Sequence, residues 1–357
     1  MHPTYLRCQQ YTPSKGNDKM SLQPLFPFTS IVGQEDMKKA LILNVIDPGI
    51  GGVLIKGEKG TAKSTAVRSL AGVLPQRDVV SGCIFGCDPS RLDRACSQCT
   101  EIKEHKSEKV PMRVVELPLS ATEDRVAGTL DIEYALKEGK KRFEPGILAQ
   151  ANGNILYVDE VNLLDDHLVD LLLDSAAMGM NYVEREGISF HHPARFILVG
   201  TMNPEEGDLR PQLLDRFGLS VDIFSETGPE DKMRIIKRRM QFDRDPEGYI
   251  KECEKESSSL RKDIDSARIA LNTVIIGEDM FEAIVGLTSH FGITGHRADI
   301  TLMKAAKANA SFCKRKNVTK MDIADVAGLV LPHRMKRRPF EEKGLNREEL
   351  EKCLEIL

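Results

Sequence analysis

The 357-residue chain has no tryptophan, and aromatic residues make up only 5% of it. Recognition built on stacked aromatic platforms is therefore not expected. There is no charge excess: 50 basic residues face 54 acidic ones, for a net charge of −4. A protein that coats nucleic acid would carry a basic surplus, although a local basic patch is still compatible with this balance. No apolar run approaches the roughly 20 residues that span a bilayer. The opening stretch, MHPTYLRCQQYTPSKGNDKM, lacks the apolar core of a secretory signal. A cytoplasmic protein is expected. Hydrophobic residues at 41% and charged residues at 29% are ordinary for a globular chain. The length suggests about two domains, with enough core to fold without disulfides or metal.

Short β-branched runs recur between longer mixed segments. Strands are expected at 52–56 (GVLIK), 114–117 (VVEL), 155–159 (ILYVD) and 196–201 (FILVGT). Such runs, bounded by Gly, Pro or Asn, read as buried parallel strands. Helical patterns lie between them, at 64–74 and 164–178, so the fold class is α/β with a parallel sheet. Residues 1–26 read as a polar arm and 27–242 as the α/β domain. The stretch 243–265 is charged, Ser-rich and poor in apolar residues, as in a solvated helix or linker. Residues 266–357 read as a smaller all-helical domain and tail. Helices are expected at 266–272, 279–291, 296–316 and 320–331, with Thr319 and Asp322 set as a capping box.

The strongest local signal follows the first strand directly: Gly57, Glu58, Lys59, Gly60, Thr61, Ala62, Lys63, Ser64 and Thr65. This fits a phosphate-binding P-loop with Ala62 in place of the second glycine; an ordinary Gly-rich strand-to-helix turn with Lys63 on a solvated face is the plainer reading. A turn of this kind points successive backbone N–H groups inward, and the helix that follows adds its positive end. Lys63 would reach the β- and γ-phosphates, and the Ser64 hydroxyl would ligate Mg²⁺. The alanine is expected to sit at negative φ, where a methyl group is tolerated. A second signal is the strand ILYV ending in Asp159 and Glu160. Asp159 would hold Mg²⁺ and Glu160 would polarise the attacking water. A third is Asn203, after another buried strand, placed to orient that water. An ordinary Asn-Pro turn is the plainer reading of the same residue.

Together these segments carry a resemblance. Ile31-Val-Gly-Gln34, GEKGTAKST, ILYVDE, Glu144-Pro-Gly146-Ile-Leu-Ala149 and the run NPEEGDLRPQLLDRFGL resemble AAA+ ATPases of the magnesium-chelatase class, specifically the ATPase subunit I. The late run Leu331-Pro-His333-Arg334 is similar too, and the likeness spans about residues 27–340. It implies MgATP as ligand and Arg216 as an arginine finger offered to a neighbouring subunit. It implies Arg297 as a second phosphate sensor on the helical lid, and Val32 and Gln34 beside the adenine. Residues 119–147 match the insertion in the second helix of this clade, and 179–194 match a β-hairpin before the first sensor. The implied assembly is a homo-oligomeric ring, a hexamer by family analogy. Its implied partners are a D-like AAA+/adhesion-domain subunit and a large subunit that holds the tetrapyrrole. The implied reaction is ATP-driven insertion of Mg²⁺ in chlorophyll synthesis, or of Co²⁺ in cobalamin synthesis. A MoxR-type remodeller and a helicase-like motor are the rival readings. The mixed tip Glu184-Arg-Glu-Gly187 argues against phosphate-backbone binding, so no nucleic-acid or membrane partner is expected.

Four of the eight cysteines, Cys83, Cys87, Cys96 and Cys99, crowd into one short segment. Four thiolates suit zinc or an iron–sulfur cluster. The eight residues between the two pairs are fewer than standard zinc modules use. Candidate structural-metal ligands and reduced, redox-sensitive thiols both stay open, and these residues take no catalytic role.

Overall fold

Five parallel strands form the main sheet of the computed structural model, which describes residues 24–101, 105–130, 143–185, 188–335 and 347–356. β1 is Val53–Gly57, β4 Val114–Leu117, β7 Ile155–Val158, β10 Ile197–Met202 and β11 Leu219–Ile223. The spatial order is β11-β1-β10-β7-β4. Every residue of β7 and β10 is buried, as expected of strands covered on both faces. β11 is absent from the expected strands because Leu219-Ser-Val-Asp-Ile alternates instead of running apolar. It is an edge strand. Its Asp222 faces outward and pairs with Lys56 of β1 at 3.2 Å.

Three antiparallel pairs decorate this sheet. β2 (Gln76–Val80) pairs with β3 (Ser107–Pro111), and β5 (Gly128–Leu130) with β6 (Phe143–Pro145). β8 (Met180–Arg185) and β9 (Ile188–Pro193) form the hairpin expected over 179–194. The middle of the insert expected over 119–147, residues 131–142, lies outside the described residues, as do 186–187 at the hairpin tip and all of the polar arm up to residue 23.

The charged stretch 243–265 is helical. It comprises the end of helix Pro229–Arg244 and most of helix Pro246–Ala270. Asp245 caps the second of these by accepting from Gly248 N at 3.0 Å. Helices Glu278–His290, His296–Phe312, Lys320–Val330 and Arg347–Ile356 follow. The capping box at Thr319 forms: Asp322 accepts from Thr319 N at 3.0 Å and Thr319 Oγ1 at 2.8 Å. Asp322 is fully buried, and Arg315 and Asn309 also donate to it.

One apolar core joins one face of the sheet to the C-terminal helices. It runs from Met37, Leu41, Val53, Ile55 and Val199 to Leu302, Ile323 and Val326. A second core fills the other face, where Leu54, Leu156, Leu198 and Phe217 meet Leu168 and Leu172 of helix Asp166–Met178. Each fully buried side chain of this kind contributes roughly 1.5–3 kcal/mol, which keeps the strands in register. The strand order sets the carboxyl ends of β1, β7 and β10 side by side, the usual place for ligands in open α/β sheets.

Candidate nucleotide site

The loop Glu58–Ala62 joins β1 to helix Lys63–Leu70. Gly60 sits at φ +83°, in the left-handed region that glycine adopts freely. Ala62 is the helix N-cap at φ +63°, ψ +20°, and this corrects the expectation of negative φ. The backbone must turn sharply here to aim its N–H groups into the loop. A single left-handed alanine costs about 1–2 kcal/mol, which the surrounding loop and core tolerate.

Lys63 folds back over this loop. Its Nζ donates to Gly57 O at 2.5 Å and Glu58 O at 2.7 Å. Burial lowers its pKa, against the opposing pull of Asp159 and Glu160. Thr61 Oγ1 donates to Glu58 O at 2.8 Å, closing the turn. Lys59 reaches across to Glu206, 2.5 Å away, in the turn after β10.

The carboxyl end of β7 meets the loop directly. Ser64 Oγ donates to Asp159 Oδ2 at 3.1 Å, and Thr201 Oγ1 donates to Asp159 Oδ1 at 2.5 Å. Burial by itself would raise the Asp159 pKa. Hydrogen bonds from Thr201, Tyr157 and Ser64 outweigh it and hold the carboxyl below its ordinary value. Asp159 is therefore ionised at neutral pH and is already fixed by its donors. Glu160, next in the chain, is left-handed at φ +53°, and its N–H donates to Thr201 Oγ1 at 3.2 Å. Strain of this kind costs about 1–3 kcal/mol. Thr201 thus orders both carboxylate residues. In the linear sequence it is one polar residue within an apolar strand, and only its register beside β7 reveals this position.

Asn203 is buried just past β10. Its Oδ1 accepts from Glu205 N at 3.3 Å, capping the turn Pro204–Glu206. Val32 is buried, and Gln34, at φ +55°, donates from Nε2 to Phe224 O at 2.8 Å beyond β11.

The candidate arginine finger, Arg216, and the candidate second sensor, Arg297, lie apart from this array. Among the described residues, neither hydrogen-bonds to the P-loop. Arg216 Nη1 contacts Asp174 at 2.7 Å and Asp170 at 3.0 Å, both on helix Asp166–Met178. Arg297 Nη1 donates to Asp215 Oδ2 at 3.0 Å. The other oxygen of Asp215 accepts from Arg334 Nε at 3.3 Å. Arg334 is almost fully buried and also donates to Phe217 O at 2.7 Å, Gly218 O at 3.0 Å and Val330 O at 2.6 Å. Burial lowers its pKa to about 10, so it stays charged at neutral pH. His333 donates from Nε2 to Phe217 O at 3.1 Å, and burial beside Arg334 keeps it neutral. Asp215 therefore ties Arg297 and Arg334, on the C-terminal helical side, to the segment entering β11. His192 is a core residue, neutral through burial, bonded to Asn181 and Pro193 O.

Comparison with known proteins agrees with this architecture. Residues 97–217 match the AAA domain (dynein-related subfamily), and residues 281–353 match the AAA lid domain. The chain is 56% identical to a magnesium-chelatase subunit ChlI homolog of Methanocaldococcus jannaschii, over 94% of this chain and 92% of the relative. It is 51% identical to magnesium-chelatase subunit ChlI of Cyanophora paradoxa, over 91% and 94% respectively. It is also 51% identical to the magnesium-chelatase 38 kDa subunit of Chlorobaculum parvum, over 88% and 93%. A structure of the complex between subunits BchI and BchD of magnesium chelatase contains a chain 44% identical to this one. That match has a TM-score of 0.53 and covers 93% of this chain and 100% of the other. A parallel sheet with a P-loop at its carboxyl edge, a helical lid and this identity along nearly the whole length lead to one conclusion: the chain belongs to the family of magnesium-chelatase AAA+ ATPase subunits of the ChlI/BchI type.

Proposed function

We propose that this protein is the ATP-hydrolysing motor of a chelatase that inserts a divalent metal into a tetrapyrrole held by a separate large subunit. The observation that carries the reading is the array of Ser64, Asp159 and Thr201 at the mouth of the P-loop. A hydroxyl and an ionised carboxylate converge there, and these residues fit the Mg²⁺ that accompanies ATP. Ser64 and Asp159 would hold that ion, which neutralises phosphate charge when bound.

In this reading Lys63 leaves the Gly57 and Glu58 carbonyls to pair with phosphate oxygens. The backbone N–H groups of residues 60–64 receive the β-phosphate. Glu160, ordered through Thr201, takes the proton of the attacking water, and Asn203 orients that water. Arg216 acts in a neighbouring subunit: it leaves Asp170 and Asp174 and meets that subunit's ATP in a ring, a hexamer by analogy. Arg297 leaves Asp215 and reports phosphate to the lid. A D-like subunit is the adjoining partner, a reading supported by the BchI–BchD neighbour. Identity over more than 90% of the relatives' length favours this reading over a MoxR-type remodeller. The names of the relatives favour Mg²⁺ as the inserted metal, with Co²⁺ in cobalamin synthesis as the alternative.

The test is complementation between two dead variants. Glu160→Gln and Arg216→Ala should each bind ATP and turn it over little. Mixed, they should regain activity, because some interfaces pair an intact Glu160 with an intact Arg216. Full turnover in Arg216→Ala, independent of protein concentration, would overturn the shared site.

A further inference from the structure

The loop between β2 and β3 has no part in the nucleotide site, yet it gathers four thiols. The Sγ atoms of Cys83, Cys87, Cys96 and Cys99 all lie within 4.8 Å of one another. Those of Cys83 and Cys96 are 3.8 Å apart. With Zn–S bonds of about 2.3 Å, a tetrahedral site places neighbouring sulfurs about 3.8 Å apart. A disulfide would need about 2.05 Å. A cubane iron–sulfur cluster puts each thiolate on a different iron and spreads the four sulfurs well beyond this spacing. The donor set therefore fits one mononuclear ion that prefers four thiolates.

The backbone is shaped for the same purpose. Each cysteine pair spans a tight turn: Gly86 N donates to Cys83 O at 3.0 Å, and Cys99 N to Cys96 O at 3.0 Å. Gly86 is left-handed at φ +56°, which lets the first turn return its second cysteine. Cys96 N donates to Cys87 Sγ at 3.3 Å, the kind of N–H···S contact that supports a metal thiolate. Val80, Phe85, Ala95 and Ala149 pack around the sulfurs, and Cys87, Cys96 and Cys99 are buried. Arg77 donates to Gly86 O at 3.1 Å and brings a positive charge beside the site.

We propose that Cys83, Cys87, Cys96 and Cys99 bind one Zn²⁺ as a closed structural site that fixes this loop against the β8–β9 hairpin. Four thiols lose four protons, and the ion takes four thiolates with no change of oxidation state. The mechanical link is Phe85, between the first two ligands. Its ring stacks on His192 of β9 at 5.0 Å, and Asn152 Nδ2 donates to its carbonyl at 2.9 Å. The zinc would thus hold the base of the β8–β9 hairpin, where His192 pairs with Asn181. The inference is independent of the tetrapyrrole reading.

The test uses the full chain, purified reduced and without chelators. Metal analysis should find one zinc per chain and no labile sulfide. The zinc-stripped chain, refilled with Co²⁺ alone, should show the thiolate charge-transfer and visible bands of tetrahedral CoS₄. Thiol titration of the unmodified chain should find these four thiols slow to react until a strong chelator is added. Cys99→Ser should weaken zinc retention by roughly 100-fold or more, beyond the 10–100-fold typical of outer partners, while Cys313→Ser retains it. Four fast-reacting thiols in a folded chain that takes up neither Zn²⁺ nor Co²⁺ would overturn the proposal. So would iron with labile sulfide, or a disulfide among these cysteines in the isolated protein.

Discussion

The P-loop edge and the arginine edge of the site are built differently. At the P-loop edge Ser64, Asp159 and Thr201 are already joined by hydrogen bonds of 2.5–3.4 Å, and Lys63 is held on the carbonyls of Gly57 and Glu58, all within one chain. At the arginine edge Arg216 and Arg297 are held by carboxylates of their own chain: Asp170 and Asp174 for one, Asp215 for the other. The hydroxyl and carboxylate groups of the first edge are preorganised, because an arriving cation would meet groups already in place, and Lys63 alone would have to turn from its carbonyls. The second is held in reserve. Its cations are partly exposed, and surface ion pairs of this sort are worth only about 0–1 kcal/mol, so they release at little cost. A fixed half and a releasable half in one chain suit a site completed between subunits.

The largest test of this contrast is Arg216→Ala. If Arg216 acts as the proposed finger, turnover should fall by roughly 10³-fold or more while ATP affinity changes little, since such a finger acts on the transition state. Steady-state ATPase assays beside nucleotide titration would check this, and an equal loss of affinity would move Arg216 into the ground-state pocket. Next is Glu160→Gln, with a loss of roughly 10²–10⁴-fold in kcat. ATP should stay bound, read by nucleotide retention on gel filtration.

Thr201→Val sharpens the preorganised side. It removes the 2.5 Å donor to Asp159 and the acceptor for Glu160 N. Activity should fall by about tenfold, with a raised Mg²⁺ requirement. The pH effect has a definite sign. Asp159 is depressed in the folded chain, so its stabilisation is present above the unfolded value of 3.8 and is lost as pH falls through the lower folded value. In Thr201→Val the folded value rises, and acid unfolding should begin at higher pH. Melting curves across acidic pH that superimpose on those of the unmodified chain would count against this role for Thr201.

Asp215→Asn tests the tie between lid and sheet. Arg334 keeps its backbone carbonyl partners, so the loss should be modest, about 1 kcal/mol, seen as a melting point lower by a few degrees. The smallest effect is expected of Ala62→Gly. Relief of a left-handed alanine, about 1–2 kcal/mol, is offset by roughly 0.5–1 kcal/mol of added chain entropy. Stability should rise by about 0–1.5 kcal/mol, and turnover should stay near that of the unmodified chain. A large loss of activity would show that the methyl group itself shapes the phosphate site.

Four of the five sheet strands are legible in the sequence because each holds adjacent β-branched or aliphatic residues, even β4 with its Glu116. β11 is not, because Leu219-Ser-Val-Asp-Ile alternates apolar and polar residues and offers no such pair. The P-loop and the Asp159-Glu160 pair are legible because their chemistry is local: one turn, one strand end. Thr201 is not, since its importance arises from pairing β10 with β7 in one particular register. The partners of Arg216 are equally hidden. The nearest carboxylate in sequence is Asp215, yet the guanidinium turns to Asp170 and Asp174, about 40 residues away in the chain.

The sequence by itself determined the α/β class, the phosphate loop, the carboxylate pair, the hairpin and the capping box at Thr319. Each of these depends on residues close together in the chain, where periodicity and turn chemistry act. Only the tertiary structure decided that Ala62 is left-handed, that Thr201 orders the site, that Asp215 ties the lid to the sheet, and that the four clustered cysteines bring their sulfurs close to tetrahedral spacing. Those outcomes depend on strand order and on loops folding back against the sheet, and such long-range packing leaves no periodic trace in the chain.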